Sequence, residues 1–334
     1  MVGKKVYIIA EAGVNHNGSL ILAKKLVDSA AESGADAVKF QSFIAECGIS
    51  KNAPKAKYQL KLTSKKESQI EMIRRLELSS NDHKELIDHC HSRKVDFLST
   101  ACDLESANLL GSLNQTMYKI ASCDIVNIPV IRAVAKFKKK VILSTGMASL
   151  GEVERAISEL KNHGTKDIVL LHCTTEYPCP INEVNLLKIN TLRNAFHLPV
   201  GFSDHSHGIS GAIASIALGA VVIEKHFTLD KEMEGPDHKA SIDPDEFKEM
   251  VKSIREVEVA LGSPVFKPSP SEELNLDVMR RKIVASDNIY KGEIFSLNNI
   301  GFKRAKGGVT PDYCDLVLGK IATQDYILDD AILI

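Results

Sequence analysis

The residues of this 334-residue chain that can do acid–base, anion-binding or metal chemistry gather at the ends of short apolar runs. Eight such runs occupy 6–15, 35–42, 95–103, 117–124, 140–148, 167–178, 198–206 and 220–229. The first closes on Glu11, Asn15 and His16, the second on Lys39 and Gln41, and the third on Ser99, Thr100 and Asp103. Lys119, Ser122 and Asp124 end the fourth, Ser144 and Thr145 the fifth, and His172, Thr174 and Tyr177 the sixth. The last two end in Ser203, Asp204 and His205, and in Glu224, Lys225 and His226. His205 and His226 on neighbouring runs have the residue type and placement to ligate one divalent ion, with Glu224 or Asp204 orienting them. A hydrogen-bonded pair of buried histidines is the other reading, and His16, His172 and His207 read as structural or loop residues.

Lys39 and Lys119 follow apolar β residues, and a buried lysine is costly unless it faces an anion. With Ser99, Thr100, Ser122 and Ser144 they would form a cradle for phosphate or carboxylate. Two alternatives stay open: the lysines pair with Glu11, Asp103 or Glu224, or one of them is a Schiff-base nucleophile.

Between the runs lie segments with helical spacing, among them 19–34, 81–94, 129–137, 149–164 and 208–220. Strand then helix, repeated eight times, predicts an α/β fold, a (β/α)8 TIM barrel with a parallel inner sheet. In such a barrel the C-terminal strand ends hold the chemistry. Residues 43–94 make one interval too long, which reads as a loop overhanging that mouth. Asp243 as N-cap and Pro244 at the first helical position start a helix that runs to Gly262 and completes the barrel. VNHNGS (14–19) reads as a turn into a helix with Ser19 as cap, and EGPDHKAS (234–241) as a loop that puts Asp237 near the mouth.

After the barrel domain, 1–262, the serines and prolines of 263–282 read as a linker to a small domain at 283–334 with short β segments. That domain is too small for a large core of its own. Its KRAKGG turn carries Arg304, suited to a carboxylate or acyl oxygen. A net charge of -1 without a basic block argues against nucleic acid, and no apolar run is long enough to span a membrane. Seven scattered cysteines without a C-x-x-C pair, and no leader-like start, lead to the expectation of a reducing cytoplasm.

Taken together, AEAGVNHNG, DAVKFQ, FLST, YKIAS, STGMA, LHCTTEYP, GFSDHS, EKHFTLDKEMEGPDHKAS, KGEIFSLNNI, KRAKGG and LGKIA resemble the sialic acid synthases over essentially the whole chain. Those enzymes condense phosphoenolpyruvate with an N-acetylated hexosamine. The resemblance implies a TIM barrel followed by an antifreeze-like (SAF, β-clip) domain, in a domain-swapped homodimer where Arg304 acts in trans. It implies His205 and His226 as ligands of Mn²⁺ or Mg²⁺, and Lys39, Thr100, Lys119, Ser122 and Ser144 as phosphoenolpyruvate contacts. Glu11 or Glu224 would handle the proton, while Gln41, Asp124, Tyr177, Asp237 and Arg304 would meet the sugar.

Two departures from the family pattern stand out: Ala101-Cys102 where Pro-Phe is usual, and Cys123-Asp124 where Gly-Glu is usual. The shorter acid suggests room for a C4 acetamido group, hence N,N'-diacetyllegionaminate as product instead of N-acetylneuraminate. Competing readings are a Schiff-base aldolase acting on nonulosonates and a non-catalytic sugar-binding protein.

Overall fold

Every second residue of a barrel strand faces the axis, and in this sequence those inward positions pass along each strand from an apolar plug to a polar floor. A computed structural model describes residues 5–55, 59–60 and 67–334. Its first unit, Met1–Gly262, holds eight parallel strands closed in chain order. They are β1 (Tyr7–Gly13), β2 (Ala37–Ser42), β3 (Asp96–Ala101), β4 (Met117–Ile120), β5 (Lys140–Ser144), β6 (Ile168–His172), β7 (Val200–Asp204) and β8 (Val222–His226). Ile9, Ala37, Leu98, Ile142, Leu171 and Val222 pack against one another as the plug. Two residues further along the same chain segments come Glu11, Lys39, Thr100, Ser144, Cys173 and Glu224, and likewise Lys119 after Met117 and Ser203 after Gly201. The opposite faces of the strands, with residues such as Val38, Phe40, Tyr118, Leu143, Phe202 and Ile223, are buried in the larger core with the helices.

Gly201 shows how tightly the plug closes. A methyl there would lie 2.4 Å from the Val222 carbonyl oxygen and 2.7 Å from Leu171 Cδ2. Gly201→Ala is therefore expected to cost about 1–3 kcal/mol by overpacking and to lower the melting temperature. An unchanged melt would mean that β7 and β8 close less tightly than this geometry states.

The helices start where side chains cap them. Ser19, Ser79, Ser149 and Asp243 each accept from a backbone N–H of the first turn, the last three within reciprocal capping boxes. Asp103 also turns out to be a cap, accepting from Ser106 N at 2.7 Å and from Ile44 N at 2.8 Å, so it is not a lysine partner. Within the described residues of the long interval after β2, the short helices Ala45–Gly48 and Gln69–Arg74 precede the expected one. Part of that interval, 56–58 and 61–66, lies outside the described residues.

The second unit, Ser263–Ile334, contains a two-stranded antiparallel sheet of β9 (Arg281–Ala285) and β10 (Ile300–Arg304). Its core gathers Ile283, Ile289, Phe295, Ile300, Val317, Tyr326 and Ile332. Residues 263–282, read from sequence as a linker, hold a helix over Pro270–Met279. The serine and proline taken as linker composition are its start signals: Ser269 caps, Pro270 follows and Glu272 closes the box. Among the described residues no helix is long and apolar enough to cross a membrane.

Candidate active site

At the C-terminal mouth of the barrel the inward residues enclose a cavity of about 210 Å³. Of the fourteen sequence-predicted site residues, twelve line it: Glu11, Lys39, Gln41, Thr100, Lys119, Ser122, Ser144, Tyr177, His205, Glu224, His226 and Asp237. The two exceptions have different reasons. Asp124 does not face the cavity, because the one-turn helix Ser122–Asp124 swings it onto Asn127 Nδ2 at 2.9 Å and presents Cys123 instead. Arg304 is exposed on β10, opposite Arg281, in the second unit.

The floor is a charge lattice. Lys39 Nζ lies 2.7 Å from Glu11 Oε2 and 3.8 Å from Glu224 Oε2, and donates to Thr100 Oγ1 at 3.2 Å. Lys119 Nζ is 3.9 Å from Glu224 Oε1 and donates to Ser144 Oγ at 2.6 Å. All four charged side chains are at most 5% exposed. The lysines thus pair with Glu11 and Glu224, as one of the sequence readings had it, and they also sit among the hydroxyls of Thr100 and Ser144. Asp103 is not among those partners.

The two carboxylates differ. Burial pushes Glu224 up, but the Lys119 and Lys39 ammoniums and the Ser203 hydroxyl outweigh it and hold it down at about 2. Burial also pushes Glu11 up, and the nearby Glu224 charge adds to this; Lys39 and Gln41 only partly oppose it, leaving Glu11 at about 7. Burial, with help from the Lys39 charge, lowers Lys119, whereas Lys39 is raised because Glu11 and Glu224 outweigh its burial.

Above this floor stand His205 and His226, ring centroids 5.5 Å apart, with Tyr177 against both at 4.3 and 5.4 Å. Burial keeps both imidazoles neutral, His205 at about 4 and His226 well below its ordinary value. His205 Nδ1 donates to the Thr174 carbonyl at 2.7 Å, so Nε2 carries the lone pair. Ser203, 3.1 Å from that Nε2, already donates to Glu224 Oε1 at 2.8 Å. The Nε2 lone pair therefore receives no hydrogen from it, and His226 Nδ1 is buried without a hydrogen-bond partner. Two neutral imidazoles with available lone pairs fit a divalent ion. Among the described residues no third histidine, cysteine or carboxylate joins them as a ligand group.

Asp204 and Lys225 do not orient the histidines. Alternation turns them outward as a buried pair at 3.1 Å, with Asp204 accepting from Ala212 N at 3.2 Å and from Ser206. His172 likewise bonds the Val184 carbonyl at 2.6 Å, outside the mouth. Sequence reasoning missed Thr175, Gln59, Ile73 and Pro236 in the lining. Gln59 and Ile73 come from the long interval after β2, where no period signals which residues turn inward. Gly146 was also missed. Its N–H donates to Ser122 Oγ at 3.0 Å, and a methyl there would lie 2.4 Å from Thr175 Oγ1 and 2.8 Å from Ser122 Oγ.

Comparison with known proteins agrees with this geometry. The family described as the NeuB family matches residues 26–266, and the SAF domain matches 280–332. The N,N'-diacetyllegionaminic acid synthase of Campylobacter jejuni is 53% identical over 98% of this chain and 99% of its own length. The enzyme of the same name from Legionella pneumophila is 44% identical over 94% of this chain and 89% of its own. The crystal structure of the N-acetylneuraminic acid synthetase of Leptospira borgpetersenii, 34% identical, superimposes with a TM-score of 0.73 over 82% of this chain and 91% of that one. A closed parallel barrel with buried lysines and carboxylates at its mouth, a C-terminal SAF domain and these similarities place the chain in the NeuB family of nonulosonate synthases.

Proposed function

We propose that this protein condenses phosphoenolpyruvate with 2,4-diacetamido-2,4,6-trideoxy-mannose and water to give N,N'-diacetyllegionaminate and phosphate, a carbon–carbon bond-forming transferase reaction. The observation that carries the reading is the pair of buried ammoniums among hydroxyls, directly beneath two neutral imidazoles. The choice of sugar rests on the similarity to the Campylobacter enzyme; Asp124, the shorter acid, faces away from the cavity, so it does not make the room for a C4 acetamido group that its length suggested.

Lys39, Lys119, Thr100, Ser122 and Ser144 bind the phosphate and carboxylate of phosphoenolpyruvate by charge-assisted bonds. His205 and His226 would hold Mn²⁺ or Mg²⁺, which when bound polarises the aldehyde oxygen of the open-chain sugar. C3 of phosphoenolpyruvate attacks the aldehyde carbon, and Glu224, ionised throughout, stabilises the positive charge that develops at C2. Water adds at C2 and gives one proton to Glu11, which passes it to the sugar alkoxide formed by the attack; the C2 oxygen then becomes a ketone as phosphate leaves by cleavage of its bond to C2 and takes up the second proton of that water. The proton transfer falls to Glu11 because its carboxyl titrates near neutrality, whereas Glu224 does not. Gln41, Tyr177 and Asp237 meet the sugar. Arg304 would complete the sugar site from the swapped domain of a second subunit in a homodimer.

The test is phosphate release from phosphoenolpyruvate with Mn²⁺, run with the diacetamido sugar and with N-acetylmannosamine, the products weighed by mass spectrometry. Turnover abolished by EDTA and faster with the diacetamido sugar is expected. Preference for N-acetylmannosamine would make the product N-acetylneuraminate. The lowered Lys119 makes a Schiff base the alternative chemistry. Borohydride trapping of pyruvate on Lys119, with metal-independent turnover, would replace the synthase by an aldolase.

A further inference from the structure

Two loops far apart in sequence are tied together at the rim of the cavity. Asn15, buried in the turn after β1, donates through Nδ2 to the Phe227 carbonyl and to Ser241 Oγ, both at 2.9 Å. Ser241 in turn donates to the Asp237 carbonyl at 2.8 Å. Asn17 in the same turn has φ of +51°, a conformation that asparagine tolerates better than most residues. Its Nδ2 donates to the Glu234 carbonyl at 2.8 Å, and its Oδ1 faces His238 Nε2 at 3.4 Å. His238 is fully buried and is braced on its other side by Thr228 Oγ1 at 2.6 Å. Gly235 lets the strands of this tie approach, since a methyl there would lie 2.8 Å from Asn17 Oδ1 and 2.6 Å from the His238 ring.

What the tie holds is the segment carrying Pro236 and Asp237 into the cavity, while Asn15 and Asn17 do not line it. The Asp237 carboxylate, Gln41 Nε2 and Glu11 Oε1 converge within 3.4 to 3.7 Å of one point above Gly13. The phosphate cradle, by contrast, sits at the ends of β2 to β5 and takes nothing from this loop.

We propose that Asn15 and Asn17 are positioning residues that clamp the loop after β8 and thereby set the place of Asp237 over the sugar, so that they govern sugar affinity but not phosphoenolpyruvate affinity. This rests on the synthase reading above. Asn17→Gly keeps the positive φ accessible and deletes both side-chain bonds; Ser241→Ala is a second, smaller cut in the same clamp. In both variants the KM for the sugar is expected to rise about tenfold, with the KM for phosphoenolpyruvate held within about twofold. In an Asp237→Ala background the same cuts should raise the sugar KM little further, because the residue they position is already gone. Asn17→Asp, which keeps Oδ1 but sets a carboxylate oxygen against the Glu234 carbonyl, should behave like Asn17→Gly.

Sugar and phosphoenolpyruvate KM rising together, or a full additional loss in the Asp237→Ala background, would overturn the inference and leave the synthase reading standing. Wild-type protein that releases no phosphate with either sugar would remove the reading and the inference with it.

Discussion

Glu224→Gln is expected to lower turnover by about 10²- to 10³-fold while phosphoenolpyruvate binds at least as tightly as before. The reason is counting charge. Glu224 lies between Lys39 at 3.8 Å and Lys119 at 3.9 Å, and among the described residues it is the carboxylate paired with Lys119. Removing one partner of a buried ion pair costs about 3–5 kcal/mol, because the remaining charge is left without compensation. The unliganded variant should therefore melt at lower temperature. Phosphoenolpyruvate, an anion, takes the place of the missing charge, so its stabilising shift of the melt should be larger in the variant than in wild type. Turnover still falls because no fixed anion then faces the charge developing at C2. Thermal melts with and without phosphoenolpyruvate, beside phosphate-release rates, decide it. An unaltered melt and an equal ligand shift would show that Glu224 is not the counter-ion for the lysines.

Glu11→Gln is expected to remove a pH dependence as well as a rate. In wild type kcat/KM should climb as pH rises through about 7, where Glu11 loses its proton and becomes able to accept one from water. Burial is the main cause of that high value, with the Glu224 charge adding and Lys39 opposing. Glutamine cannot accept the proton, so the variant should be about 10²- to 10⁴-fold slower and flat across the same range. The stability signature has a definite sign. A carboxyl raised from 4.5 to about 7 binds its proton more tightly in the folded state. Its contribution to stability is complete below about 4.5 and is lost as pH rises through about 7. The stability of wild type relative to Glu11→Gln should fall over that window. Denaturant melts at pH 5 and pH 8 would show it, and a wild-type rate profile that stays flat through pH 7 would assign the proton transfer to another group.

Much of the scaffold is legible along the chain because its signals are local. Runs of β-branched and apolar residues at 6–15 or 220–229 can only be covered on both faces, which is what a parallel barrel provides. Ser19, Ser149 and Asp243 cap helices where they precede apolar periodicity, and the same rule would have found the helix at Pro270–Met279 had Ser269 and Glu272 been read as a capping box. The polar residues at strand ends identify the mouth, since period-two alternation carries Glu11, Lys39 and Glu224 inward from Ile9, Ala37 and Val222.

The sequence by itself determined the barrel and the residue types available to the site, because each is written in spacing that a few neighbouring residues carry, and the resemblance of its motifs taken together implied the family and the SAF domain. Only the tertiary structure decided how those residues divide the work. Glu11 and Glu224 are the same side chain at the end of an apolar run, yet two ammoniums hold one ionised while burial beside its charge leaves the other near neutrality. Asp204 and Lys225 are next to Ser203 and Glu224 in sequence but point outward and pair with each other. Asp124 is turned away by a single short helix, and Asp237 is held by asparagines more than two hundred residues earlier. Desolvation, Coulomb interaction and loop-to-loop hydrogen bonds depend on distances through space, and those distances exist only once the chain has closed the barrel.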